Sequence, residues 1–287
     1  MRLGVIGGSG LYQMPGLEKP REVRVRTPFG DPSDSLVTGS IGGVGVAFLP
    51  RHGRGHRILP SEINFRANLY ALKQLGAEFL VSIGAVGSLR REIRPGDIVV
   101  VDQFIDRTSR RPSTFFGGGI VAHVGFADPV CAVLSRLVIS AAHAAGATVH
   151  ETGTYVCMEG PQFSTRAESN LHRQWNADLI GMTQVQEAKL AREAEICFAA
   201  VALVTDYDCW NTDAGDVEIG EVLRLLKEST DRAQAIVRTV AGRLPADRSC
   251  PCASALAQAI ITDRKAIPAP LRRRLQPILG KALGGRP

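Results

Sequence analysis

The sequence predicts an α/β protein: a single domain with a central mixed β-sheet flanked by helices, closed by a helical C-terminal extension. Two observations carry this. Short apolar runs alternate with amphipathic stretches along the chain, the pattern of strands interleaved with helices. Small and polar residues gather directly after those apolar runs, where open α/β sheets collect their ligands. No Ser/Pro-rich linker interrupts before about Arg243, so residues 1–242 read as one body and 243–287 as the extension with its basic tail.

Strands are expected at 3–6, 44–49, 79–83, 98–104, 154–158, 179–182 and 197–204, the last being the most apolar. Helical patterns fall between them, at 61–75, 129–145, 165–174, 186–193 and 219–240. Thr165 and Glu168 have the spacing of a capping box and start the third helix. Val222, Leu223 and Leu226 supply an apolar face to the last. Residues 244–251 read as a connector, and Pro268 and Pro270 break the extension into two pieces.

The 287 residues, 45% hydrophobic and 22% charged, suffice for a sizeable core and exclude a disordered or fibrous protein. No apolar run approaches the ~18 residues of a membrane span. The start, Met1-Arg2-Leu3-Gly4-Val5-Ile6, lacks the features of a signal peptide. Six cysteines in such a chain are sparse and show no metal spacing, so reduced thiols in the cytoplasm, with no metal, are expected. The net charge of +6 is local: residues 263–287 hold seven cations against one anion, which leaves the rest balanced. The basic charge therefore belongs to a tail and not to a global nucleic-acid-binding face, and a non-catalytic nucleotide- or RNA-binding protein using Arg272, Arg273 and Arg274 is the rival reading.

Five loops could carry chemistry. Gly7-Gly8-Ser9-Gly10 exposes backbone N–H groups and a hydroxyl, suited equally to a phosphate or to a tight turn; it lacks the third glycine of a dinucleotide fingerprint. Arg51-His52-Gly53-Arg54-Gly55-His56 offers guanidinium and imidazole donors with no acidic neighbour in sequence, a candidate anion clamp. Ser82-Ile83-Gly84-Ala85-Val86-Gly87-Ser88 lets backbone approach a ligand, or a strand pack closely on a helix. Phe163, ahead of the capping box, has a flat apolar face for a base or for the core. Asp206 and Asp208, in Thr205-Asp206-Tyr207-Asp208-Cys209-Trp210, can serve one ligand as general acid and hydrogen-bond acceptor, or cap a helix.

Taken in order, these loops resemble the trimeric purine nucleoside phosphorylases, and within them the branch that takes methylthioadenosine. The matching stretches include Ile6-Gly7-Gly8-Ser9-Gly10-Leu11, Thr27-Pro28-Phe29-Gly30, Arg51-His52-Gly53-Arg54, Arg94-Pro95-Gly96-Asp97, Glu159-Gly160-Pro161 and Thr205-Asp206-Tyr207-Asp208-Cys209-Trp210, spread over roughly residues 3–226. The resemblance implies phosphorolysis of S-methyl-5'-thioadenosine to adenine and S-methyl-5-thio-ribose 1-phosphate, with inorganic phosphate as co-substrate and no cofactor. By similarity Ser9, Arg51, His52, Gly84, Ala85 and Thr183 would hold phosphate. Met182 would lie beneath the ribose, and Phe163, Ser164, Asp206 and Asp208 would surround the base, with Asp206 as the acid. Val217, Ile219, Val222 and Leu223 fall where the methylthio-preferring branch is aliphatic, and His123 where the family reaches into a neighbouring subunit. A homotrimer, or a dimer of trimers, follows by the same resemblance.

The chain departs from the family at Gly84, where eukaryotic members have Thr, and at Gln184 and Gln186. Asp206 argues against the 6-oxopurine-cleaving relatives, which carry Asn there.

Overall fold

The computed structural model describes residues 1–8, 11, 14–214 and 218–284. Its organising element is β5 (Phe79–Ser88), whose first half pairs in parallel with β1 (Leu3–Gly7) as far as Ser82. Its last two residues instead pair antiparallel with β10 (Leu179–Gly181). Along its other edge β5 runs parallel to β11 (Cys197–Asp206) for nearly its whole length. From β1 the sheet continues through β4 (Val44–Pro50) and β3 (Leu36–Ile41) to the edge strand β2 (Glu18–Val23). From β10 it continues through β9 (Thr154–Cys157) to β7 (Gln103–Asp106), while β11 carries β6 (Ile98–Val101) and β8 (Val149–His150).

Helices cover both faces, which is why the central strands are apolar on both sides: nine of the ten residues of β11 are buried. One core lies under α1 (Phe65–Gln74) and α4 (Gln184–Glu193); the other lies under α2 (Ala132–Ala144) and α5 (Ile219–Arg243). On α5 the residues Ala233, Ile236, Val237, Val240 and Ala241 recur at helical spacing and are all buried. The capping box expected at α3 (Arg166–Gln174) is present, with Thr165 accepting from the Glu168 N–H and Glu168 accepting from the Thr165 N–H. Among the described residues no helix is long and apolar enough to cross a membrane.

Three sequence expectations change. The single strand at 98–104 is two, because Asp102 turns its carboxylate to the Gly153 N–H and the chain passes from β11 to β9 as partner. In β2 all but the last residue are exposed, so it carried no apolar signal; its pairing to β3 alone makes it a strand, and its charges suit an edge. Pro268 and Pro270 begin α6 (Ala269–Arg274) rather than interrupt the extension, and the break falls at Leu275, before α7 (Gln276–Leu279). These helices are not a loose tail: Leu271, Leu275, Ile278 and Leu279 join the α1–α4 core, and the Tyr70 hydroxyl donates to the Arg274 carbonyl.

Truncating Ile236 to Ala in this packed face should cost about 2–5 kcal/mol. Thermal unfolding at matched protein concentration should show a clear loss for Ile236→Ala and almost none for the exposed Lys227→Ala on the same helix.

Candidate active site

Where β5 has left β1 and not yet met β10, residues Ile83, Gly84, Ala85 and Val86 have strand pairing on one edge only. A cavity of about 670 Å³ fills that fork, of the size that takes a small organic ligand. Its walls come from the 51–60 loop, β5, the 158–163 loop, the turn into α4, the end of β11 and the first turns of α5.

One end is built for an anion. Arg51 is buried, its Nε and Nη2 held by Glu187 at 2.6 and 3.0 Å, its Nη1 donating to the Ile83 carbonyl and its Nη2 also to Ser82 Oγ. Among the described residues one Nη1 N–H is left to a ligand. Thr183 also lines the cavity, at the N-cap of α4, and its side chain makes no hydrogen bond to the helix, which leaves its hydroxyl available to a ligand. Gln184 and Gln186, the departures, are committed elsewhere: Gln184 Nε2 donates to the Ser82 carbonyl and Gln186 Nε2 to Thr108 Oγ1.

The basic loop is not the free clamp that its composition predicts. Acidic neighbours absent in sequence arrive in space: Arg54 pairs with Glu22 and Asp34, and Arg57 lies near Asp34. His52 is neutral, since burial above all, then the Arg51 charge, pushes its pKa down to about 4. Its Nδ1 lies 2.8 Å from the Ile58 carbonyl, which can only accept, so the proton sits on Nδ1 and Nε2 presents a lone pair.

The opposite end is built around acid. A bulge between Val204 and Asp206 shifts the β11 register, re-aiming the Asp206 side chain at the end of the strand. Its carboxyl accepts from Thr205 Oγ1 and from the Asp208 N–H, each at 2.8 Å. Burial nevertheless raises its pKa, with the nearby Asp208 adding to the shift. Burial also raises Asp208, whose Oδ2 has no well-formed hydrogen bond among the described residues. Gly87 makes room for this arrangement, because a Cβ there would stand 2.7 Å from Asp206 Oδ1.

Phe163 lines the cavity with 48% of its surface exposed, so it is available for stacking rather than spent on the core. Met182 lines the cavity too, and Arg111 sets its backbone: the guanidinium donates to the Met182, Met158 and Glu159 carbonyls and pairs with the Glu159 carboxylate at 2.8 Å. Gly160, at φ +65°, leaves the space that the Met182 thioether fills. Ile219, Val222 and Leu223 form an aliphatic wall from α5, with Leu226 behind them.

Ser164 does not line the cavity; its hydroxyl lies 3.9 Å from Met158 Sδ. His123 stands away from its own chain's cavity, its N–H bonded to the Ala259 carbonyl. Ser9 and Val217 lie outside the described residues. Sequence reasoning missed Glu187 and Arg111, which look like ordinary polar residues in a helix and a loop, and Gly87 as the seat of Asp206. It also missed that Cys131, Cys197, Cys250 and Cys252 converge, because they come from three separate segments.

Comparison with known proteins shows the family and the fold. Residues 2–241 match the family described as the phosphorylase superfamily. The chain is 58% identical over 279 residues to an S-methyl-5'-thioadenosine phosphorylase of Geobacter sulfurreducens, covering 97% of this chain and 98% of that one. Its fold superposes with a TM-score of 0.91 and 48% identity on a methylthioadenosine phosphorylase from an Antarctic soil metagenomic library, covering 96% and 98% of the two chains. A methylthioadenosine phosphorylase from Schistosoma mansoni, solved with adenine, gives 0.80 and 38% over 86% and 93%.

Gly87→Ala should displace the Asp206 carboxyl and lower kcat/KM by roughly 10²-fold, the cost of an ångström-scale misplacement. Gly242→Ala on α5, where an added Cβ meets nothing within 4 Å, should leave turnover unchanged in parallel steady-state assays.

Proposed function

The chain belongs to the phosphorylase superfamily, and on that premise we propose that it cleaves S-methyl-5'-thioadenosine with inorganic phosphate, giving adenine and S-methyl-5-thio-ribose 1-phosphate. The observation that carries the reading is one cavity with three chemically distinct ends: Arg51 and Thr183 at the first, the buried Asp206 acid at the second, and the aliphatic start of α5 at the third.

Phosphate binds under the sugar, receiving the remaining Arg51 N–H, the Thr183 hydroxyl and the backbone N–H of Ala85, while Gly84 lets it approach the strand. His52 Nε2 accepts the phosphate's own O–H, which suits a neutral imidazole. As the C1'–N9 bond breaks, its electron pair moves onto the purine and positive charge grows on the ribose. The bound dianion stabilises that charge and then forms the new C1'–O bond; donors of this preorganised type are worth roughly 10²–10³-fold each. Asp206, whose protonated form burial favours, gives its proton to N7 and accepts from the 6-amino group, so adenine leaves uncharged. The proton lost by the phosphate hydroxyl on forming the ester dianion balances the one Asp206 gives up, and exchange with solvent restores the acid. Phe163 stacks on the base, Met182 lies against the ribose, Asp208 accepts from the base's polar edge, and Ile219, Val222 and Leu223 receive the methylthio group.

Homotrimeric assembly in the cytoplasm completes the proposal, with His123 of each subunit finishing a neighbour's site. The family resemblance supports it, as do the exposed Val121 and Ile261 flanking His123 on the paired 122 and 260 segments.

Phosphate-dependent cleavage assayed across methylthioadenosine, adenosine and inosine tests the reading; cleavage of none of them would overturn it. Asp206→Asn should shift preference from 6-amino toward 6-oxo purines, since a site made for one hydrogen bond discriminates by about 10⁴–10⁵. In the wild type the active form is the protonated acid, so kcat/KM should fall as pH rises through the raised Asp206 pKa. That basic limb should vanish in the Asn variant.

The aliphatic end sets a further limit. Burying a methylthio group gains roughly 1–3 kcal/mol, and an apolar pocket rejects a hydroxyl by only about 10²-fold. Adenosine should therefore be cleaved, with kcat/KM lower than for methylthioadenosine by about ten- to several-hundred-fold. Val222→His should narrow that gap in competition assays.

A further inference from the structure

Cys131 caps α2, Cys197 opens β11, and Cys250 and Cys252 flank Pro251 where the C-terminal extension begins its first short turn. The sulfur atoms of all four lie within 4.8 Å of one another, and Cys197 and Cys250 Sγ are 3.2 Å apart. Every one is a free thiol; three are buried and Cys250 is half-buried. The surroundings are aliphatic, from the core between α2, α5 and the sheet, so packing alone gives no reason to bring four sulfurs together there. We propose that these four cysteines form a tetrathiolate site for a zinc-like divalent cation, built to hold structure rather than to react.

The geometry supports a closed tetrahedron. Zinc–sulfur bonds of about 2.3 Å set the sulfurs roughly 3.8 Å apart, within the observed cluster. Four protein ligands leave no open position for water or substrate. Cys131 stands at the N-cap of α2, where the helix's free backbone N–H groups favour a bound thiolate. Binding forms four Zn–S bonds and releases the thiol protons to solvent, and neither oxidant nor reductant is consumed.

The site joins three segments distant in sequence. It fastens the start of the extension to the N-terminus of α2 and to the first residue of the central strand β11. That same extension supplies the Ala259 carbonyl that receives the His123 N–H. The cation therefore secures the part of the chain on which the placement of His123 depends.

The test is elemental analysis of untagged protein purified without chelator. We expect about one zinc per chain. Protein loaded with cobalt(II) should show thiolate-to-metal charge transfer and the visible bands of a tetrahedral site. Cys252→Ser and Cys250→Ser should lose the metal, whereas Cys209→Ser, whose Sγ bonds the Ser164 carbonyl, should keep it. Removing zinc from the wild type with a chelator should lower its melting temperature, and re-adding zinc should restore it. Metal-free protein with six free thiols that takes up no cobalt would overturn the proposal. So would peptide mapping that finds disulfides among these four cysteines in protein kept under cytoplasmic thiol conditions. Should a serine variant fail to fold, the metal content and cobalt spectrum of the wild type decide alone.

Discussion

The structure depends on β5 changing partners partway along its length. A strand that kept β1 beside it to its end would cover the backbone of residues 83–86 on both edges and leave no fork for a ligand. Because β10 joins only at Gly87, the opening has walls from β1's loop side and from the turn into α4. The parallel run of β11 on the other edge carries Asp206 to the level of Gly87, at the far end of the same opening. The chemistry is thus placed by strand register, and the loops supply only its details.

Two carboxylates close to that fork are put to opposite uses by their surroundings. Glu187 is fully buried yet satisfied by Arg51 and Ser82 Oγ, so its negative charge is spent on orienting the guanidinium. Burying such a pair brings little net stability, but removing either member would strand the other charge in the core. Asp206 has burial without a cation, which favours its neutral form. One cavity can therefore hold a fixed positive charge and an acid whose protonated form is favoured, with Phe163 and Met182 also on its walls.

Much of this was legible in the sequence, and the exceptions have physical causes. Asp206 could be found because it closes the most apolar strand, and the Thr165–Glu168 box because capping is local chemistry. The apolar start of α5 could be read from Ile219, Val222 and Leu223. Glu187 could not, since a glutamate in an amphipathic helix usually faces water and only the tertiary fold brings Arg51 to it. The Asp34 and Glu22 partners of Arg54 were hidden for the same reason. Strand β2 has charge in place of an apolar pattern and exists because β3 offers an edge. Three long sequence separations hid the convergence of Cys131, Cys197, Cys250 and Cys252.

The burial of α6 and α7 has a consequence for how the chain is made. Tyr70 and the outer side of α1 are emitted early by the ribosome, but Leu271, Leu275, Ile278 and Leu279 that cover them come some two hundred residues later. At synthesis rates of roughly 5–20 residues per second the nascent chain carries that apolar face uncovered for about ten seconds or more. Folding of this core is thus tied to the synthesis of α6 and α7, and chaperone demand should concentrate on the interval before those two helices emerge.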